Sequence, residues 1–133
     1  MSLRTIPLIV VALLIYNLIV FIGGDQILAR QIFEIPMLHD ARWVLTWGDF
    51  VLVLVLVLLF VELLKSTYTT TASLLDHGLS MLVFIACLVE FLMVRQAASS
   101  VFFLITVAAL IDVVAGYTIG IRTAKRDLQI GGE

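Results

Sequence analysis

The sequence predicts an all-α fold: a single membrane domain over residues 1–133, built as an integral membrane bundle of four transmembrane helices. Three observations predict it. Apolar residues make up 62% of the chain and charged residues only 14%. Mean hydropathy is +1.18; a soluble domain of this size has too high a surface-to-volume ratio to hide that much apolar surface. Four apolar windows also approach the ~20 residues needed to cover ~30 Å of hydrocarbon. The net charge of −2 gives no electrostatic footprint for nucleic acid. Cys87, the single cysteine, lies inside an apolar run, so no intramolecular disulfide or multi-thiolate metal site can form.

The first span covers about Ile6–Ile22 and follows Arg4. A basic start and an apolar middle also suit a signal peptide. Phe21, however, stands where cleavage before Gly23-Gly24 wants a small residue, so the segment reads as a true span. The longest loop runs from Gly23 to Arg42 and predicts a short amphipathic helix. Asp25 would cap it, Arg30 and Glu34 would pair four residues apart, and Pro36 would stop it. Ile27, Leu28, Ile32 and Ile35 would share one side, resting on the outer leaflet or the bundle, or docking a partner protein.

The second span covers about Val44–Leu64. Its uninterrupted Val51–Val61 run lacks small residues and suits lipid or a broad partner surface. The third, about Leu79–Val94, is short; Ala72–Leu75 would extend it, leaving Asp76, His77 and Gly78 near the interface. The fourth covers about Val101–Ile121 behind the capping residues Ser99 and Ser100, and residues 122–133 form a tail ending in a loose Gly131-Gly132-Glu133. Four spans put both termini on one side with Arg4, Lys65, Arg122, Lys125 and Arg126, against Arg30, Arg42 and Arg95 on the other. The basic excess makes the first side cytoplasmic. Trp43 and Trp47 then belong to the outer interface, Tyr68 and Tyr117 to the inner one.

Ionisable groups at membrane depth are costly, so each raises a functional hypothesis. The candidates are Asp49, Glu62, Glu90 and Asp112, with Asn17 as a neutral companion. Asp112 falls near the middle of the fourth span, where a carboxylate costs about 2.5–3.5 kcal/mol on insertion scales. Ala108, Asp112, Gly116 and Gly120 follow in steps of four and share one helix face, so Asp112 should point into a helix–helix contact. It would serve either as structural glue, hydrogen-bonded to Asn17 or a backbone carbonyl, or as a proton or cation site. Glu62 should pair with Lys65 in a solvated, intrahelical ion pair. Asp49 should be solvated at the interface, and Glu90 should form a salt bridge with Arg42 or Arg95. Glu62, Asp112 and Glu90 would otherwise form a staggered row able to relay protons or cations.

His39 and His77 fall in loops on opposite sides and cannot share a haem or metal. Cys-x-x-Cys, a phosphate-cradling glycine loop and His-Glu-x-x-His are all missing from the chain. No enzyme activity and no cofactor are expected. Small multidrug exporters share the size and the four spans but centre on a glutamate in the first helix, where this chain offers only Tyr16 and Asn17.

Phe60-Val61-Glu62-Leu63-Leu64-Lys65 closes the second span, a polar linker with His77 follows, and Ile85-Ala86-Cys87-Leu88-Val89-Glu90 comes late in the third. With a fourth span ending in Arg122, Lys125 and Arg126, the stretch from about Trp47 to Arg126 resembles the phosphate-starvation-inducible protein E (PsiE-like) family. The resemblance implies a small four-span protein of the bacterial inner membrane. Where the family tends to carry a basic residue near Glu90 and an acid near Arg95, this chain exchanges the charges. The expected function is association in the bilayer, as a homo-oligomer or an accessory subunit of a membrane complex. The small face of the fourth helix, the loop and the Val/Leu-rich second helix would supply the contacts. The alternative is a proton- or cation-coupled transporter or channel using the intramembrane carboxylates.

Overall fold

Proline occurs only at Pro7, the second residue of the first apolar run, and at Pro36 in the loop, so nothing after Pro7 in the four runs interrupts the backbone ladder of an α-helix. Each run becomes one: α1 (Ile9–Gly23), α2 (Trp47–Tyr68), α3 (Ser73–Met93) and α4 (Ser100–Gly131). The computed structural model describes residues 6–24, 26–68 and 73–131, with the backbone alone at 68, 73–77, 120, 123, 124 and 126–131. The predicted Asp25 cap, the basic residues Arg4 and Arg126, the side chains of Tyr68, Asp76 and His77, and the tail residues Gly132 and Glu133 lie outside the described parts. The all-α prediction holds for the bulk of the chain. Two helical segments, Trp47–Thr67 and Ser100–Ile119, are long and apolar enough to cross a membrane, while Ile9–Gly23 and Gly78–Met93 are apolar but shorter.

Local chemistry sets the ends. Gly24 (φ 90°) donates its N–H to Val20 O at 3.0 Å beyond α1, in the left-handed region that a side chain would strain. Thr46 and Asp49 exchange side-chain-to-backbone bonds of 3.2 Å in both directions, a capping box that starts α2 at Trp47 and not at Val44. Ser99 Oγ accepts the Phe102 N–H at 3.1 Å and caps α4. α4 continues past Ile121 to Gly131, so most of the predicted tail is helical.

The loop after α1 corrects the predicted amphipathic helix. A single 3-10 turn, Ile27–Ala29, leads into an antiparallel hairpin of β1 (Gln31–Pro36) and β2 (Arg42–Thr46). His39 (φ 61°) and Asp40 (φ 59°) both adopt left-handed backbone between Leu38 O and Ala41 N. That is type I′ geometry, whose twist matches paired strands. The register places Glu34 diagonal to Arg42, and they pair at 3.0 Å. Arg30 is not the partner of Glu34.

The chain runs up and down. Leu8, at the start of α1, meets Glu62 late in α2; Gly48, at the start of α2, faces Val101 at the start of α4. α2 and α4 therefore run parallel, with α1 and α3 opposed to them. α4 packs most extensively, against both α2 and α3. The core gathers one stripe per helix: Ile9, Ala12, Tyr16 and Val20 on α1; Val51, Val55 and Leu59 on α2; Cys87 on α3; Phe102, Ile105, Ala108 and Ala109 on α4. The spacing of three and four is the α-helical face repeat.

Candidate functional site

Two groups of polar side chains lie between the helices, at different heights. The lower group sits where α1 begins. Glu62 is buried on α2, and its Oε2 accepts the Leu8 backbone N–H at 3.0 Å. Lys65 lies 3.6 Å from the same oxygen and donates to Ile6 O at 3.0 Å. Together they close the first turn of α1, whose backbone groups have no helical partner of their own. The predicted Glu62–Lys65 pair exists, but Glu62 is inside the bundle and not solvated.

Asp112 belongs to this same group. It is buried on α4, and the polar groups that act on it are Glu62 and Lys65 of α2 and the hydroxyl of buried Ser80 on α3. Four helices thus contribute: α1 through its first turn, α2 through Glu62 and Lys65, α3 through Ser80, α4 through Asp112. The group holds two carboxylates and one ammonium in apolar surroundings, where hydrogen bonds and charge pairing must replace hydration. Sequence reasoning found the three charged members and missed Ser80, since serine at position 80 carries no mark that separates it from any other helical serine.

The upper group sits near the α3–α4 connection. Tyr16 donates its hydroxyl to Gln96 O at 2.9 Å, and its oxygen lies 2.7 Å from Ser99 Oγ. With its own proton given to Gln96 O, Tyr16 takes that of Ser99. The ring packs edge-on to Phe102 at 5.0 Å, and Phe102 stacks on Phe91 at 6.3 Å. Asn17 donates to Glu90 Oε2 at 3.4 Å. This corrects two expectations: Asn17 serves Glu90 and not Asp112, and Glu90 takes that amide while Arg42 pairs in the hairpin. Asp49, expected to be solvated, is half-buried in its capping box.

Ser80 and Glu90 are ten positions apart on α3, about 15 Å at the α-helical rise. The three acids therefore divide into a pair, Glu62 with Asp112, and a separate Glu90. Among the described residues no three His, Cys, Asp or Glu side chains converge as metal ligands would.

The small face of α4 also has a definite place. Ala108, Asp112 and Gly116 are buried within the chain, while the side-chain position of Gly120 lies outside the described parts. These small residues are thus covered by the rest of the same molecule. This corrects the expectation that the face is free to contact another subunit. The exposed side of the bundle is formed by large apolar residues: Leu14 and Leu18 on α1, Leu56 and Phe60 on α2, Leu92 on α3, Val114 on α4. Between α2 and α4 it carries an apolar groove of about 280 Å³ lined by Leu52, Leu56, Leu104, Val107 and Ile111 among others. Comparisons with protein-family models, curated proteins and solved structures gave no match for this chain.

Proposed function

We propose that this is a four-span integral membrane protein that works by associating with other membrane helices, as a homo-oligomer or an accessory subunit, and not by catalysis. One observation carries the reading: the outward surface of the bundle is as apolar as its core, and polar groups are held inside. Glu62, Ser80, Thr106 and Asp112 are buried, while the outward faces of all four helices are Leu, Ile, Val and Phe. Only 22% of the apolar window of α2 is buried, far too little for a core helix of a water-soluble domain. Water would meet that surface at a cost of ~25 cal/mol per Å², whereas lipid tails meet it at none.

α1 and the apolar part of α3 are short for a span, and support for their crossing comes from their neighbours. α1 runs antiparallel along α2 from Glu62 to the level of Gly48, and modest mismatch is absorbed by local thinning of the bilayer. Lys65 lies at the opposite end of the bundle from Arg30, Arg42 and Arg95, consistent with cytoplasmic termini under the positive-inside rule. The PsiE-like resemblance belongs to the same reading and bears on the bacterial inner membrane as location. With the small face of α4 occupied internally, association falls to the outward faces, where the α2–α4 groove has the shape to receive a ridge of another helix.

The test is reconstitution of the full chain. The expected result is retention in carbonate-washed vesicles, reporters at the two ends accessible from one side, and a discrete mass above the monomer in mild detergent. Release into the aqueous fraction, or ends in opposite compartments, would sink the four-span reading; a strictly monomeric mass with no co-purifying subunit would sink association.

The burial of Glu62 and Asp112 together favours a second reading, proton- or cation-coupled transport through the lower polar group. Its measurement is proton and cation flux into liposomes, wild type against Asp112→Asn. Flux that the substitution abolishes would establish transport; none in the wild type would remove it.

A further inference from the structure

The β1–β2 hairpin is exposed on both faces from Gln31 through Val44. One face carries Phe33, Ile35 and Trp43, with the Phe33 and Trp43 rings edge-to-face at 6.2 Å. The other carries the Glu34–Arg42 ion pair beside Val44. Among the described residues, no helix covers either face. Two physical constraints then locate it. Bulk water disfavours an uncovered aromatic and aliphatic face, particularly on a two-stranded sheet, which has little stability of its own. The hydrocarbon core disfavours the unpaired backbone edges of both strands and the ion pair, since nothing there can hydrogen-bond them. The boundary between headgroups and acyl chains satisfies both: water and headgroups reach the edges, and apolar chains reach the face.

We propose that the hairpin is a membrane-surface element lying in that boundary layer, with Phe33, Ile35 and Trp43 turned toward the acyl chains of the bilayer. The inference rests on the membrane-spanning reading above and adds the hairpin's occupant, which is lipid. Continuity supports it. The hairpin's base joins α2 at Trp47, whose N–H donates to Arg30 O at 3.1 Å. Trp47 closes an apolar groove with Leu18, Ile22 and Ile27, which belongs to the same outward surface as the spans. Tryptophan rings at positions 43 and 47 thus sit at one end of the bundle, the depth at which amphipathic aromatics accumulate. A second copy adding a strand to the hairpin is the competing occupant, and the edges work against it. The register is irregular between Gln31 and Phe33, Pro36 has no N–H to offer, and Glu34 and Arg42 place charges on the sheet.

The chain has two tryptophans, so Trp47→Phe leaves Trp43 as the sole reporter. The variant is reconstituted in phosphatidylcholine–phosphatidylglycerol vesicles containing lipids brominated near the headgroup or deep in the acyl chain. Trp43 should emit at shorter wavelength than tryptophan in water, lose most intensity to the shallow bromines and resist aqueous iodide, as expected about 5–10 Å into the boundary. A second probe avoids dependence on that variant: a nitroxide on Ile35→Cys in the Cys87→Ser background should collide more with oxygen than with a water-soluble nickel chelate. Free quenching by iodide without bromolipid quenching, in protein that stays in the vesicles, would overturn the inference and leave the spanning reading intact. Shielding from every quencher would also overturn it, in favour of cover by another protein surface. Failure to remain with the vesicles would instead overturn the spanning reading.

Discussion

Glu62 on α2 accepts the backbone N–H of Leu8 at 3.0 Å, so a side chain 54 residues away closes the first turn of α1. Lys65 completes the clamp from the same helix by donating to Ile6 O. Glu62→Ala should leave the Leu8 N–H and the Lys65 ammonium without this acceptor and lower stability by about 2–3 kcal/mol; Glu62→Gln, which keeps an acceptor oxygen, should lose about 1 kcal/mol. Unfolding of the purified protein in mixed detergent micelles, followed by circular dichroism, measures both. Equal losses would show that the charge, and not the bond to Leu8, is what matters.

Tyr16 and Ser99 should be energetically coupled. Tyr16→Phe keeps the ring against Phe102 but gives up the bonds to Gln96 O and Ser99 Oγ, a loss of about 1 kcal/mol. Ser99→Ala removes the α4 cap as well and should cost about 1–2 kcal/mol. In the double variant the shared bond is lost only once, so its loss should fall short of the sum of the two single losses by at least about 0.5 kcal/mol. Strict additivity would mean that the 2.7 Å contact contributes nothing.

Gly116→Leu should act on the monomer. Gly116 is buried within its own chain, and inserting a large side chain at a packed position costs about 1–3 kcal/mol or more. The variant should unfold earlier while any oligomer that survives keeps its subunit number. An intact melting midpoint with a reduced native mass would return the small face of α4 to an intermolecular role.

The helices were legible because long apolar runs without an internal proline are written directly in the sequence around Ile9, Val51, Phe84 and Phe102. The inward orientation of Asp112 was legible too, from its alignment with Ala108 and Gly116. The hairpin was not. Arg30 and Glu34 have helical spacing and Pro36 reads as a stop, whereas the strands are short and their turn is made by His39-Asp40, not by the Asn-Gly that usually marks type I′. The Thr46-x-x-Asp49 capping box was readable from its spacing but was masked by the expectation that an acid near tryptophans is solvated. Partnerships across helices escaped altogether: nothing in one dimension tells Asn17 to bond Glu90, or places Ser80 beside Asp112, because the exposed and partner-facing sides are equally apolar.

Cys87 offers a direct probe of whether the bundle is closed. It has no exposed surface and packs in the core. Membrane-permeant maleimide should label it slowly in the reconstituted protein and completely after denaturation, with the labelling rate rising in Glu62→Ala if the α1 clamp holds the bundle shut. Fast labelling of the native wild type would mean that α3 swings away from α4 on the experimental timescale.

Asp112→Asn separates structural glue from a working carboxylate. The amide keeps a hydrogen-bonding group of the same size beside Ser80, and Glu62 already has Lys65 as its counter-ion. Interhelical hydrogen bonds in membranes average only about 0.6 kcal/mol, so the neutral variant should be at least as stable as the wild type, within about 1 kcal/mol. A larger loss would show that the ionisable group itself holds the helices together, through Lys65 or Ser80, and would make glue a sufficient reason for its presence. If stability is unchanged, packing gives no reason to prefer an acid over an amide, and on the spanning reading a carboxylate at this position would carry an insertion penalty of about 2.5–3.5 kcal/mol. The liposome flux comparison then decides the role of Asp112, because only a function that uses the ionisable group would discriminate between two side chains of the same size.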